Sequence, residues 1–173
     1  HKNLKALPQY HDNQNYLLPT GINAKTERDV KYKAVSVQMI MDFLTGMTDQ
    51  VNVLILDACR DNSFEKEWSG KTRSASGGGS GLAKMKAPSG SLIAFSTTAG
   101  TTAPDGEGMN SDYSRVLAEQ MKVSGISLDQ VFRNVRREIF DISNGNQQTE
   151  ESTQLTGDVF YLVKSTFEKE FNL

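Results

Sequence analysis

The chain has 173 residues, of which 37% are hydrophobic and 23% charged, with a formal net charge of −2 at pH 7. That length suits one domain of roughly 100–200 residues, and the composition is lean in apolar residues but not that of a disordered segment. Lys and Arg are scattered rather than gathered into a stripe, and no apolar run approaches the roughly 20 residues of a membrane helix, so neither a nucleic-acid nor a membrane partner is expected.

The first residues show no charged stretch followed by an apolar one, so no signal peptide is expected within them. Residue 1 is His rather than Met, which is compatible with a targeting segment further upstream. The single cysteine cannot form an internal disulfide. It fits a reducing compartment, and a cytoplasmic location is the expectation.

Residues 1–33 read as loop with one extended piece, Asn15 to Pro19. Ala34 to Met47 reads as a helix, because Val37, Ile40, Leu44 and Met47 make one apolar stripe. Val51 to Leu56 is β-branched and almost continuously apolar, as a strand buried on both faces would be. Residues 69–81 are dominated by Gly and Ser and read as an exposed, flexible linker. Ser91 to Ser96 is a second buried strand, and residues 99–110 read as loop. Ser111 to Val123 reads as a helix with Tyr113, Val116, Leu117 and Met121 inward.

Leu128 to Ile142 is the best-marked helix, with Leu128, Val131, Phe132, Val135 and Ile139 on its inner face. Ser127 followed by Gln130 has the capping-box pattern, which can satisfy two orphan amides. Val159 to Val163 reads as a final strand. Helices alternating with short buried strands predict an α/β layered domain with a mainly parallel sheet.

Cys59 follows the first buried strand in Leu56-Asp57-Ala58-Cys59-Arg60. In open α/β sheets, ligands bind beyond the carboxyl ends of the strands. Arg60 would help stabilise a thiolate, the reactive form, and Asp57 shares the side of Cys59 if strand geometry persists. A small buried hydrophobe is the ordinary alternative for a lone cysteine.

Asp57-Ala58-Cys59-Arg60 after an apolar strand resembles the catalytic strand end of caspases, whose pattern is Gln-Ala-Cys followed by Arg, Gln or Gly. Asp in place of Gln resembles the metacaspase, paracaspase and bacterial orthocaspase branch. Asn15-Tyr16-Leu17-Leu18-Pro19 is similar to the segment after that family's catalytic His. Gly81-Leu82-Ala83-Lys84-Met85 and Ala87-Pro88-Ser89-Gly90-Ser91-Leu92-Ile93-Ala94 are similar to the stretch entering the second half of bacterial members. Leu155-Thr156-Gly157-Asp158 also resembles them, so the likeness extends over about residues 15–163.

The resemblance implies a single caspase-like peptidase domain over residues 1–173, a three-layer sandwich with a mostly parallel central sheet flanked by helices. Residues 1–68 would be the large-subunit-like remainder, 69–81 the processing linker and 82–173 the small-subunit-like part. It implies acyl transfer, with Cys59 as nucleophile and a His protonating the leaving amine. Backbone amides near Cys59 would hold the oxyanion. No metal is needed for that chemistry. Metacaspases often require calcium, but no acidic cluster in the sequence is assignable to it.

Caspases cut after Asp, using an Arg in a stretch that corresponds to Phe95 to Asp105 here. Asp105 falls where that Arg would be, and Asp57 where caspases carry a pocket-lining Gln. Both changes are towards negative charge, which suits Lys or Arg and repels an acidic side chain. The expected partners are therefore protein or peptide substrates with Lys or Arg at the cleavage site. The plainer alternatives are a turn residue for Asp105, in Pro-Asp-Gly, and a locally bonded strand-end carboxylate for Asp57. Lys71 and Arg73, in the linker, become candidate self-cleavage sites, with a merely solvated linker as the alternative.

The family's Ser-Gly-His-Gly is absent, and only His1 and His11 are available. Neither follows a segment that reads as a buried central strand, and Asp12 rather than Gly follows His11. Either the His and the first strands lie upstream, or the chain is a catalytically inactive caspase-like module acting as a binding or regulatory domain. The shortage of strands favours the first, with an upstream segment or chain completing the sheet. A nucleotide-binding domain is disfavoured, because Gly77-Gly78-Gly79-Ser80-Gly81 lacks the Lys-Ser/Thr of a P-loop.

Overall fold

The computed structural model describes residues 5–7, 15–19, 22, 27–46, 50–57, 84–98 and 110–165. In chain order these form β1 (Lys5–Leu7), β2 (Tyr16–Leu18), α1 (Glu27–Lys33), β3 (Val35–Ser36), α2 (Val37–Thr45), β4 (Asn52–Leu56) and β5 (Ser91–Phe95). Then follow α3 (Asp112–Gln120), α4 (Leu128–Ile142) and β6 (Glu150–Thr153). Among the described residues no helix is long and apolar enough to cross a membrane.

The central sheet has the order β4-β5-β6. β4 and β5 are parallel, in register from Asn52 opposite Ser91 to Leu56 opposite Phe95. β6 is antiparallel to β5, with Leu92 opposite Thr153. The described sheet is therefore mixed, with one parallel and one antiparallel pairing. A smaller antiparallel sheet, β1-β2-β3, lies apart from it in the hydrogen-bond pattern.

The period of two along β4 and β5 divides the core into two layers. Leu92 and Ala94 pack with Tyr113, Val116 and Leu117 of α3 and with Leu128, Val131, Phe132, Val135 and Ile139 of α4. Val53 and Ile55 join that layer from β4. Ile93, Phe95 and Leu56 point the other way, onto Val37 and Met41 of α2, with Leu17 of β2 at the margin. Helix, sheet and helices thus form three layers, the α/β caspase-like arrangement that the sequence predicts. All five residues of β5 are buried, as a strand covered on both faces must be.

Each long helix begins at a serine cap. Ser36, Ser111 and Ser127 accept from the amides of Met39, Ser114 and Gln130 respectively, at 3.4, 3.0 and 3.2 Å. α4 runs over the predicted residues with the predicted inner face. Its capping box is half made, because the Gln130 side chain donates to Asn134 Oδ1 at 2.7 Å. In α2 the buried pair is Val37 and Met41, spaced by four, whereas Ile40 is only half-buried. Met47, the last residue of the expected stripe, lies outside the described residues.

Several expectations need correction. Within residues 1–33, expected as loop apart from Asn15 to Pro19, Lys5–Leu7 is a strand and Glu27–Lys33 a helix, and Val35–Ser36 is a strand where the expected helix begins. α1 is polar except for buried Val30 and carries an Asp29–Lys33 ion pair at 2.8 Å, so an apolar stripe gives it away poorly. The strand expected at Val159 to Val163 does not join the sheet. It makes one bridge, Ser127 with Tyr161, and its carbonyls at Phe160 and Val163 accept from Leu128 and Gly125, both at 2.8 Å.

The third strand is instead Glu150-Glu151-Ser152-Thr153. Backbone pairing selects a strand whatever its hydrophobicity, and here side-chain bonds anchor it. Arg136 pairs with Glu151, Lys84 with Glu150 at 3.4 Å, and the Ala87 amide donates to Ser152 Oγ at 2.9 Å.

Candidate active site

Because β4 and β5 are parallel and in register at their ends, both chains leave the sheet on the same side. The Ser96 amide donates to the Leu56 carbonyl at 3.1 Å and carries the ladder one step beyond β5. The exit from β5 is buried and fixed. Gln147 Nε2 donates to the Ser96 carbonyl at 2.9 Å, and the Thr98 amide to the Gln148 carbonyl at 2.8 Å. The exit from β4 is different in kind: its first residue, Asp57, is exposed.

Asp57 lies over the start of α3. Its Oδ2 accepts from the hydroxyls of both Ser111 and Ser114. Ser111 Oγ simultaneously accepts the Ser114 amide as the helix cap. A negative charge near the start of a helix is favoured in general by the helix dipole. Asp57 Oδ1 has no hydrogen-bond partner among the described residues.

Tyr113 lies between the two serines in sequence and is 1% exposed. Its phenol is pushed up from its ordinary value, first by burial and then by the negative charge of Asp57. Both effects disfavour a phenolate. Its hydroxyl, like those of Ser96 and Thr97, is buried without a hydrogen-bond partner among the described residues. Three buried hydroxyls thus lie on the segments that flank the carboxyl ends of β4 and β5.

Of the residues singled out in the sequence, Asp57 is placed at the strand end, exposed, with one carboxylate oxygen unbonded among the described residues. Cys59, two residues further on, lies outside the described residues, as do Asp105, Lys71, Arg73, His1 and His11. Among the described residues no three His, Cys, Asp or Glu side chains gather as metal ligands. Ser111 and Ser114 escaped the sequence reading. They follow Asp57 by 54 and 57 positions, and a serine before a helix signals only a cap.

An exposed carboxylate at the end of a parallel strand, held on one oxygen and with no bond to the other among the described residues, has the chemistry to receive a cationic group. Comparison with known protein families matches residues 10–160 to the caspase domain. No curated protein matches the chain. The match takes in most of the chain and agrees with the three-layer α/β architecture: this chain belongs to the caspase-domain family of peptidases.

Proposed function

We propose that the chain is a cysteine endopeptidase of the metacaspase, paracaspase and orthocaspase branch that cleaves peptide bonds after Lys or Arg. The supporting observation is Asp57, an exposed carboxylate at the end of β4, two residues before the only cysteine of a caspase-family chain. Cys59 Sγ attacks the carbonyl that follows the basic residue, a histidine protonates the departing amine, and water then releases the acyl group from sulfur. Asp57, with Asp105, receives the basic side chain and repels an acidic one. The enzyme acts on cytoplasmic proteins and cuts its own linker after Lys71 or Arg73.

The histidine is His11, His1 or a residue upstream. A segment or chain beyond the described residues would pair with β4, which is an edge among them and whose middle residues Val53, Leu54 and Ile55 are only half-buried.

The test is labelling by a peptidyl-Arg chloromethyl ketone. The wild type should be alkylated at Cys59, and Cys59→Ala should lose the label. The absence of Ser-Gly-His-Gly from the chain supports a second reading, a non-catalytic binding or regulatory module. Wild-type protein that stays unlabelled at Cys59 would establish that reading instead.

A further inference from the structure

Ser111 and Ser114 converge on the same oxygen of Asp57, and the other oxygen has no hydrogen-bond partner among the described residues. A carboxylate oxygen accepts at about two lone-pair sites, so two hydroxyl donors fill Oδ2. An Arg side chain ordinarily engages a carboxylate through two parallel bonds, one to each oxygen. That mode is closed at Asp57. What remains is a single-oxygen acceptor, which one arm of a guanidinium and the point charge of an ammonium use about equally well.

The helix does not need this arrangement for its own sake. Ser111 already caps α3 by accepting the Ser114 amide. Ser114 is inside the first turn, where Ala is the better helix former, and its hydroxyl bonds Asp57. Nor does Asp57 need the serines to escape burial, since it is exposed and water could solvate it. Their effect is to fix the direction in which Oδ1 faces.

Resting on the reading of Asp57 as the receiver of a basic side chain, we propose that Ser111 and Ser114 are positioning residues. They aim Asp57 and hold the enzyme's selectivity between Lys and Arg near parity by occupying the oxygen that an Arg fork would take.

The experiment uses the full-length protein and two peptide substrates that differ only in Lys or Arg at the cleaved position. KM and kcat are measured for wild type, Ser114→Ala and Ser114→Thr. Freeing one acceptor site on Oδ2 in Ser114→Ala should raise the Arg-to-Lys ratio of kcat/KM by about three- to tenfold, the worth of one hydrogen bond. The change should fall on KM, and Ser114→Thr, which keeps the hydroxyl, should restore the wild-type ratio. Unchanged ratios in Ser114→Ala, with wild type cleaving both peptides, would overturn this proposal and leave the pocket reading intact. A Thr variant that behaves like the Ala variant would overturn it too. Wild-type protein that labels at Cys59 yet cleaves neither peptide would overturn the pocket reading, and this proposal with it.

Discussion

Leu56 and Phe95 face each other as the last register pair of the two parallel strands. Their side chains pack together under α2, with Val37 and Met41. That contact brings two distant segments to one edge of the sheet. One continues through Asp57 to Cys59, and the other through Ser96 and Thr97 towards Asp105. Hydrophobic burial here sets where the proposed site begins.

Asp57→Asn should weaken recognition of basic residues without unfolding the chain. The amide oxygen can still accept from a serine hydroxyl, but the charge opposite the substrate is gone. A hydrogen bond to a charged group is worth about 1.5–3 kcal/mol, so kcat/KM for Lys and Arg peptides should fall roughly 10- to 100-fold. Circular dichroism should match wild type. Equal rates for the two proteins would remove Asp57 from the pocket.

The linker offers a test of activity that needs no added substrate. Purified wild type should accumulate products cut after Lys71 or Arg73, visible by intact-mass analysis. Cys59→Ala should remain whole. Cleavage continuing unchanged in the alanine variant would assign the cuts to another protease.

Tyr113 predicts an alkaline limb in the stability curve. Its phenol is raised in the folded state above the ordinary value of about 10. The folded protein therefore holds the proton more tightly than the unfolded chain. Stability from this group is complete below about pH 10 and falls as pH rises further through the folded value. Tyr113→Phe should flatten that fall in urea melts between about pH 9 and 11. At pH 7 it should cost little, because the hydroxyl it removes is buried and makes no hydrogen bond among the described residues.

The inner and outer sides of α2 predict a sharp contrast in stability. Ile93 is fully buried between β5 and α2, so Ile93→Ala should lose about 2–5 kcal/mol through lost burial and the cavity left behind. Phe43 is on the outer side of α2 and 69% exposed. Phe43→Ala should stay within about 0.5 kcal/mol of wild type. Chemical denaturation of the two variants, read as a shift in midpoint at constant slope, checks both.

Much of the architecture was legible in the order of residues. α4 follows its apolar stripe and serine cap over the predicted residues, and β4 and β5 follow their apolar runs almost as closely. These elements are specified locally, because the period of burial matches the period of the backbone. Elements whose partners are remote were misread. Val159 to Val163 is apolar enough for a strand, yet Val159 is 60% exposed, while the polar run Glu150 to Thr153 takes the place beside β5. A strand is decided by which backbone pairs with it, and hydrophobicity reports on pairing only indirectly.

The site divides along the same line. That Cys59 follows a buried strand, with an acid two residues before it, could be read from the chain alone, and so could the family. That Asp57 would be clamped on one oxygen by Ser111 and Ser114, above a buried Tyr113, could not. Those partners are more than fifty residues away in sequence, and they meet Asp57 only because α3 packs against the face of the sheet formed by Leu92 and Ala94. The sequence determined which groups are present and where the locally specified elements α4, β4 and β5 lie, since those depend on neighbours in the chain. The tertiary structure alone decided that Glu150 to Thr153 pairs with β5 and which oxygen of Asp57 the serines hold, because both depend on the packing of remote segments.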